Sequence, residues 1–155
     1  MRDRAPIWLC CLCYEWAMLV AQVLRLSPGA PPPRVLVVDD VPSNRVLLTR
    51  LLVPTGFAVR EAEDGLEALE ICEAWKPQAV LMDLQMPRLN GRDATVRIKA
   101  APWGVQLAVI VISGTTDEES IRGTLAAGAC AFIRKPFIDS EILDALGAAL
   151  GLQYA

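Results

Sequence analysis

Val80-Leu81-Met82-Asp83-Leu84-Gln85-Met86-Pro87 is the stretch from which the rest of the chain can be read. Its first three residues form an apolar run of the kind required by a parallel strand covered on both faces. The run ends on a carboxylate and is followed at once by a proline-containing turn. The charge therefore stands at the strand's carboxyl end, the rim at which open α/β sheets bind ligands, and Asp83 reads as a candidate site residue. An aspartate in that position can equally be a plain turn former or helix cap. The two readings separate on whether other strands bring matching chemistry to the same rim.

Runs of the same kind recur on both sides. Before it, Val35–Val38 is an apolar strand ending in Asp39 and Asp40, and Phe57–Arg60 reads as a short edge strand. After it, Leu107–Ile112 is the most apolar run and hence central, ending on Ser113-Gly114-Thr115, while Cys130–Ile133 ends at Arg134-Lys135-Pro136. Amphipathic segments lie between the strands. Pro42-Ser43-Asn44 opens a helix with Val46, Leu47 and Leu51 on its apolar side, stopped by Pro54-Thr55-Gly56. Asp64, with Glu67 three residues on, reads as a capping box for a helix burying Leu66, Leu69, Cys72 and Trp75. A third helix runs from Gly91 through Lys99. Thr116 and Glu119 cap a fourth that reaches Ala127, and Asp139 with Glu141 starts a last one with Ile142, Leu146 and Leu150 on one face. Strands alternating with helices in this way predict an α/β domain with a parallel sheet over residues 34–152.

Four strands thus deliver Asp39, Asp40, Asp83, Ser113 and Lys135 to one rim. Three crowded carboxylates raise one another's pKa unless a cation neutralises them. An oxygen-rich site of that charge suits Mg2+, which takes carboxylates, a carbonyl and retained waters. Lys135 and Ser113 remain free to hold an anion beside the metal. A metal, a cation and a hydroxyl facing a carboxylate nucleophile are suited to phosphoryl transfer, whose transition state spreads charge over the equatorial oxygens.

On these motifs residues 34–152 resemble the receiver domain of two-component response regulators. Val-Leu-Val-Val-Asp39-Asp40 is similar to that family's acid pair, Leu-Met-Asp83-Leu-Gln-Met-Pro to its phosphoacceptor segment, Val-Ile-Ser113-Gly to its switch hydroxyl, and Phe132-Ile-Arg-Lys135-Pro136-Phe to its aromatic-and-lysine end. The resemblance implies a flavodoxin-like, doubly wound five-stranded sheet in the order 2-1-3-4-5, an order for which a member of this family is itself a standard example. It implies that Asp83 accepts the phosphoryl group. Asp40 and Asp83 would hold Mg2+ together with the Gln85 backbone carbonyl, with Asp39 acting mainly through water. Lys135 would pair with the phosphoryl oxygens, Ser113 would hydrogen-bond one of them, and Phe132 would be the rotameric switch. Val41-Pro42-Ser43-Asn44-Arg45 is similar to receivers of hybrid histidine kinases. Two departures stand out: Gly114 replaces the family's usual alanine, and Arg88-Leu89-Asn90-Gly91 replaces its more usual Asp-Gly ending. Neither removes a chemical group.

Composition bounds the alternatives. A chain of 155 residues holds one domain with an appendage. A net charge of −3 and a pI near 5.0 provide no basic field for nucleic acid. With no histidine, chemistry must run on carboxylates, Lys, Ser/Thr or Cys. Five cysteines, three of them at 10, 11 and 13, fit neither a secreted disulfide framework nor a zinc site. Residues 1–33 differ from the rest. Ile7–Leu26 is apolar apart from a stripe of Glu15, Gln22 and Arg25, and reads as a helix that docks, anchors the chain to a membrane, or is an artefactual extension. Ser27–Pro33, with four prolines and a glycine, reads as a linker.

Two rival enzyme classes on similar sheets are disfavoured by residue. A haloacid-dehalogenase-type phosphatase needs a second Asp two positions after its nucleophile, where this chain has Val41 or Gln85. A flavodoxin-like binder needs a Ser/Thr/Gly phosphate loop where Asp39-Asp40-Val41-Pro42 stands. The expectation is a stand-alone cytoplasmic receiver, a phosphoacceptor rather than an enzyme. It would be charged by a histidine kinase or phosphotransfer protein, lose the group by autodephosphorylation, and signal by protein contact through its fourth helix, fifth strand and fifth helix. The rival is a receiver-fold interaction module that is never phosphorylated.

Overall fold

The computed structural model describes residues 30–152. In chain order these form β1 (Arg34–Val38), α1 (Pro42–Thr55), β2 (Ala58–Ala62), α2 (Gly65–Trp75), β3 (Ala79–Asp83), α3 (Gly91–Ala100), β4 (Ala108–Ser113), α4 (Glu118–Ala126), β5 (Ala131–Arg134) and α5 (Asp139–Leu150), with a 3-10 turn at Pro102–Gly104. All four strand pairings are parallel, and the sheet order is β2-β1-β3-β4-β5. The apolar strands and the expected order are therefore both present. Parallel neighbours require crossover helices, and these supply the two layers that bury both faces of the sheet.

Alternation along each strand divides the core in two. Val35, Val37, Leu81, Ile110 and Ile112 pack with Leu48 and Leu52 of α1 and Ile142 and Leu146 of α5. The intervening residues Leu36, Val38, Val80, Met82, Val109 and Val111 pack on the other face with Ala68 and Cys72 of α2 and Ala94 and Ile98 of α3. A side-chain period of two, with both sets apolar, makes these strands read as unbroken runs. It also brings the strands' carboxyl ends to one rim.

Helix faces depart from expectation where local pattern is weakest. In α1 the sheet takes Leu48 and Leu52, while Val46 and Leu47 are 42% and 55% exposed. Apolar residues surround that helix, so its sequence does not single out a face, and packing against the sheet selects one. Leu66 is likewise exposed, its place on the core side of α2 being taken by Ala68 and Cys72. Strand β2 begins one residue later than expected, because the Phe57 N–H still donates to the Leu52 carbonyl at the end of α1. The cap of α4 is Asp117, which accepts from the Ser120 N–H at 3.0 Å, rather than Thr116 with Glu119. The apolar helix expected over 7–26 lies outside the described residues, as do residues 27–29 of the linker. Among the described residues no helix is long and apolar enough to cross a membrane.

Candidate functional site

At the carboxyl rim, Asp39 and Asp40 follow β1, Asp83 ends β3, Ser113 ends β4, and Lys135 follows β5. The register explains the meeting: Val38 pairs with Met82, Asp83 with Ile112, and Ser113 with Arg134, so the polar residues emerge together as the buried runs stop. Carboxylate oxygens of Asp39, Asp40 and Asp83 lie within 4.8 Å of one another. The Lys135 ammonium is 3.1 Å from Asp39 Oδ2 and 3.6 Å from Asp83 Oδ2. Five residues singled out from the sequence thus stand at one end of the sheet. Lys135 is also held by its backbone, whose N–H donates to the Ser113 carbonyl at 2.9 Å.

The three acids are not equivalent. Asp39 is buried and nearly saturated: Oδ1 accepts from the Val41 N–H at 2.9 Å, and Oδ2 accepts from Asn44 Nδ2 at 3.1 Å as well as from Lys135. Asp40 is exposed, with no hydrogen bond or ion pair among the described residues. Asp83 is half-buried. Its Oδ1 accepts one long bond from the Gln85 N–H at 3.5 Å, and it shares Lys135 with Asp39. Burial pushes the Asp83 carboxyl above its ordinary pKa, Lys135 pulls it down, and the Asp39 charge pushes it up again, with a net upward shift. One ammonium facing three carboxylates leaves net negative charge at the rim.

That donor set fits a divalent cation. Oxygens bound to one Mg2+ at about 2.1 Å each lie no more than about 4.2 Å apart, so a cluster spanning 4.8 Å needs only a small contraction. Asp40 and Asp83 have the free lone pairs for it. The Gln85 carbonyl receives no hydrogen bond among the described residues, whereas the neighbouring Leu84 carbonyl takes the Gly91 N–H at 2.9 Å. Gly91 itself is required here, since a Cβ would lie 2.0 Å from the Asp83 carbonyl oxygen. Any other residue would push the start of α3 off the site strand.

Ser113 is buried, and its Oγ accepts from the Thr115 N–H at 3.3 Å. A Cβ on Gly114 would meet nothing within 4 Å, so the glycine is not a steric requirement. Phe132, opposite Val111 in β5, is half-buried against the face of the sheet that carries Leu36 and Val38. The site opens on two sides. A cleft lined by Asp39, Asn44, Leu47, Asp83, Lys135 and Pro136 lies beside α1. A more polar one lined by Gln85, Asn90, Arg92, Ser113, Thr115 and Ser120 lies beside α4.

Two residues at the site had no role assigned from sequence. Asn44 donates to Asp39, and Arg45 donates to the Asp39 carbonyl at 2.7 Å while its Nε lies 3.3 Å from Glu61. Both stand in the first turn of α1, just after the acid pair. A polar residue in the first turn of a helix that starts at the rim is the signal that would have found them.

The description "response regulator receiver domain" fits residues 35–147 as a family model. The transcriptional regulatory protein PdtaR of Mycobacterium tuberculosis is 35% identical over 128 residues, covering 80% of this chain and 60% of that protein. The chain thus spans less than two thirds of that relative's length. The receiver domain of the sensor histidine kinase PA1611 from Pseudomonas aeruginosa, solved with a magnesium ion coordinated in its active-site cleft, is 28% identical. It superposes with a TM-score of 0.73 over 77% of this chain and 98% of that one. The response regulator domain of Thermotoga maritima CheB is 32% identical, with a TM-score of 0.71 over 77% and 97% of the two chains.

Proposed function

The chain belongs to the response-regulator receiver family, and from that premise we propose that it accepts a phosphoryl group on Asp83 from a phosphohistidine of a kinase or phosphotransfer protein, in a Mg2+-dependent reaction. An Asp83 oxygen attacks phosphorus, the donor's P–N bond breaks, and an acyl phosphate forms on the carboxylate. Asp40, Asp83 and the Gln85 carbonyl would hold Mg2+, with Asp39 contributing through water. The ion, when bound, offsets the charge of the acid cluster and of the transferring group. Lys135 stands ready to pair with the arriving phosphoryl oxygens, and Ser113 supplies a hydroxyl to one of them. The observation that carries this reading is the Lys135 ammonium placed between Asp39 and Asp83 at 3.1 and 3.6 Å, beside a carboxylate with free lone pairs.

Movement of Ser113 toward the phosphoryl group and repacking of Phe132 then alter the surface of α4, β5 and α5, where a downstream protein binds. The group leaves by autodephosphorylation or onward transfer. Residues 34–152 form the phosphoryl-accepting unit, and 1–33 a separate appendage that is not needed for the chemistry. The test is intact-mass measurement after exposure to acetyl phosphate with and without Mg2+. A single Mg2+-dependent phosphoryl adduct, absent in Asp83→Asn, is expected. An adduct of undiminished yield in that variant overturns the assignment.

A further inference from the structure

After Asp83 the chain takes seven residues, Leu84–Asn90, to reach α3, and none lies in a helix or strand. Its two ends are tied by the Gly91 N–H on the Leu84 carbonyl, and near its far end Leu89 is buried in the core. The Leu89 carbonyl accepts from the Gly65 N–H at 3.2 Å, at the start of α2, and a Cβ on Gly65 would lie 2.5 Å from that oxygen. Beside this contact Arg88 has φ of +65°, a left-handed conformation that side chains other than glycine rarely adopt. Such a conformation persists only where surrounding contacts over-determine it.

At Arg88 the contact is ionic. Its guanidinium pairs with Asp64 Oδ2 and lies 3.5 Å from Glu63 Oε1. Asp64 is a firm anchor: its side chain is 1% exposed, and its Oδ1 accepts from the Leu66 and Glu67 N–H groups as the N-cap of α2. Behind it, Ala68 and Cys72 fix α2 on the sheet. The loop is thus moored to a packed helix, not left to its own hydrogen bonds. The Leu84, Pro87 and Leu89 carbonyls are all occupied by backbone N–H groups, whereas the Gln85 carbonyl, two residues after Asp83, receives none among the described residues.

We propose that Arg88 is a positioning residue for the phosphoacceptor loop: by clamping Leu84–Asn90 to the start of α2 through Asp64, it fixes the Gln85 carbonyl for Mg2+ without touching the ion. The proposal rests on the reading of the acid cluster as the Mg2+ site. A main-chain ligand on an irregular loop has no side-chain rotamer to hold it, so its orientation depends on what secures the loop. Partners outside the ligand shell commonly govern metal affinity in this way.

The test uses the full chain and four variants: Arg88→Ala, which removes the cation; Asp64→Asn, which keeps a capping side chain but removes the charge; both together; and Arg88→Lys. Mg2+ binding is measured by calorimetry, and amide hydrogen exchange over 85–90 is measured in chelator. Each single neutral variant should weaken Mg2+ binding by about tenfold. The double variant should lose no more than either single, because the two residues act as one unit. Exchange over 85–90 should quicken in all three, and Arg88→Lys should recover part of the affinity. Mg2+ affinities within about twofold of the wild type, even with faster exchange, overturn the proposal, as do losses that add across the pair. Absence of Mg2+ binding in the wild type instead overturns the site reading itself, and this proposal with it.

Discussion

Asp64 and Asp83 are both carboxylates at the carboxyl rim, one after β2 and one ending β3, and their environments drive them in opposite directions. Burial pushes both pKa values up. At Asp64 that push is overcome by hydrogen bonds from the Glu67 N–H, Arg88 and the Leu66 N–H, and by the Arg88 charge, so its carboxyl stays below the ordinary range. At Asp83 the Lys135 cation is shared with Asp39, the Asp39 charge opposes it, and the backbone N–H groups of Gln85 (at 3.5 Å) and Leu84 contribute less than burial, so burial prevails. A satisfied carboxylate serves structure, while an unsatisfied one keeps lone pairs for an ion or a phosphorus atom. The less exposed of the two, Asp64, is the one whose pKa falls, so exposure alone does not set the direction; the supply of donors does.

The largest effect that sharpens this contrast is Asp83→Asn. The amide keeps the shape but lacks the nucleophilic charge, so phosphoryl uptake falls to background by intact mass. The metal-free protein should meanwhile melt higher in chelator at neutral pH, because the variant removes a carboxylate whose ionised form is disfavoured in the fold. A lower melting point would place Asp83 with Asp64 among the structural acids.

Asp64→Ala should do the reverse. It removes the α2 cap and leaves Arg88 without its buried partner, at a cost of about 2 kcal/mol, the upper end for an N-cap. Loss of about 5 °C or more in melting temperature is expected for a domain of this size, with phosphoryl uptake at saturating Mg2+ retained. Loss of uptake in folded protein would show that Asp64 belongs to the chemistry.

Much of that division was legible in the sequence, and part was not. The strands and the rim were readable because buried parallel strands are apolar on both faces and end abruptly: Asp39, Asp83, Ser113 and Lys135 each stand where such a run stops. Asp64 was read correctly as a cap from Glu67 three residues on, although Glu67 accepts from the Glu63 N–H rather than from that of Asp64. The face of α1 was not readable, since Val46, Leu47, Leu48, Leu51, Leu52 and Val53 leave no polar stripe to mark the solvent side. In the sequence Arg88 is visible only as part of a departure from the family pattern, Arg88-Leu89-Asn90-Gly91. Its pairing with Asp64 joins residues 24 positions apart, and no local spacing encodes such a contact.

A smaller effect is expected at Asp40, the exposed member of the trio. Asp40→Asn removes one of three clustered charges without breaking a hydrogen bond or ion pair among the described residues. Metal-free stability should hold or rise slightly, while Mg2+ affinity falls by about tenfold, or about 1.4 kcal/mol. Calorimetric titration beside a melt in chelator measures both. Unchanged affinity would remove Asp40 from the ligands and leave Asp83 with the Gln85 carbonyl alone.

The finest test compares the pH dependence of stability in metal-free protein. Asp64 has a folded pKa below its unfolded value, so its contribution is complete above the unfolded value, about 3.9 for a free aspartate, and disappears as pH falls through the folded one. Asp64→Asn should therefore be less stable than wild type at pH 6 to 7, with the gap closing in acid. Asp83 has a folded pKa above its unfolded value, so the stability it confers is complete below the unfolded value and is lost as pH rises through the folded one. Asp83→Asn should match wild type in acid and become the more stable protein as pH rises. Urea melts of the three proteins across pH 3 to 7 in chelator measure both differences. Two difference curves of opposite sign are expected, both converging at low pH. Curves of the same sign would mean that the two acids answer to burial alone, and that the donors around Asp64 do not set it apart.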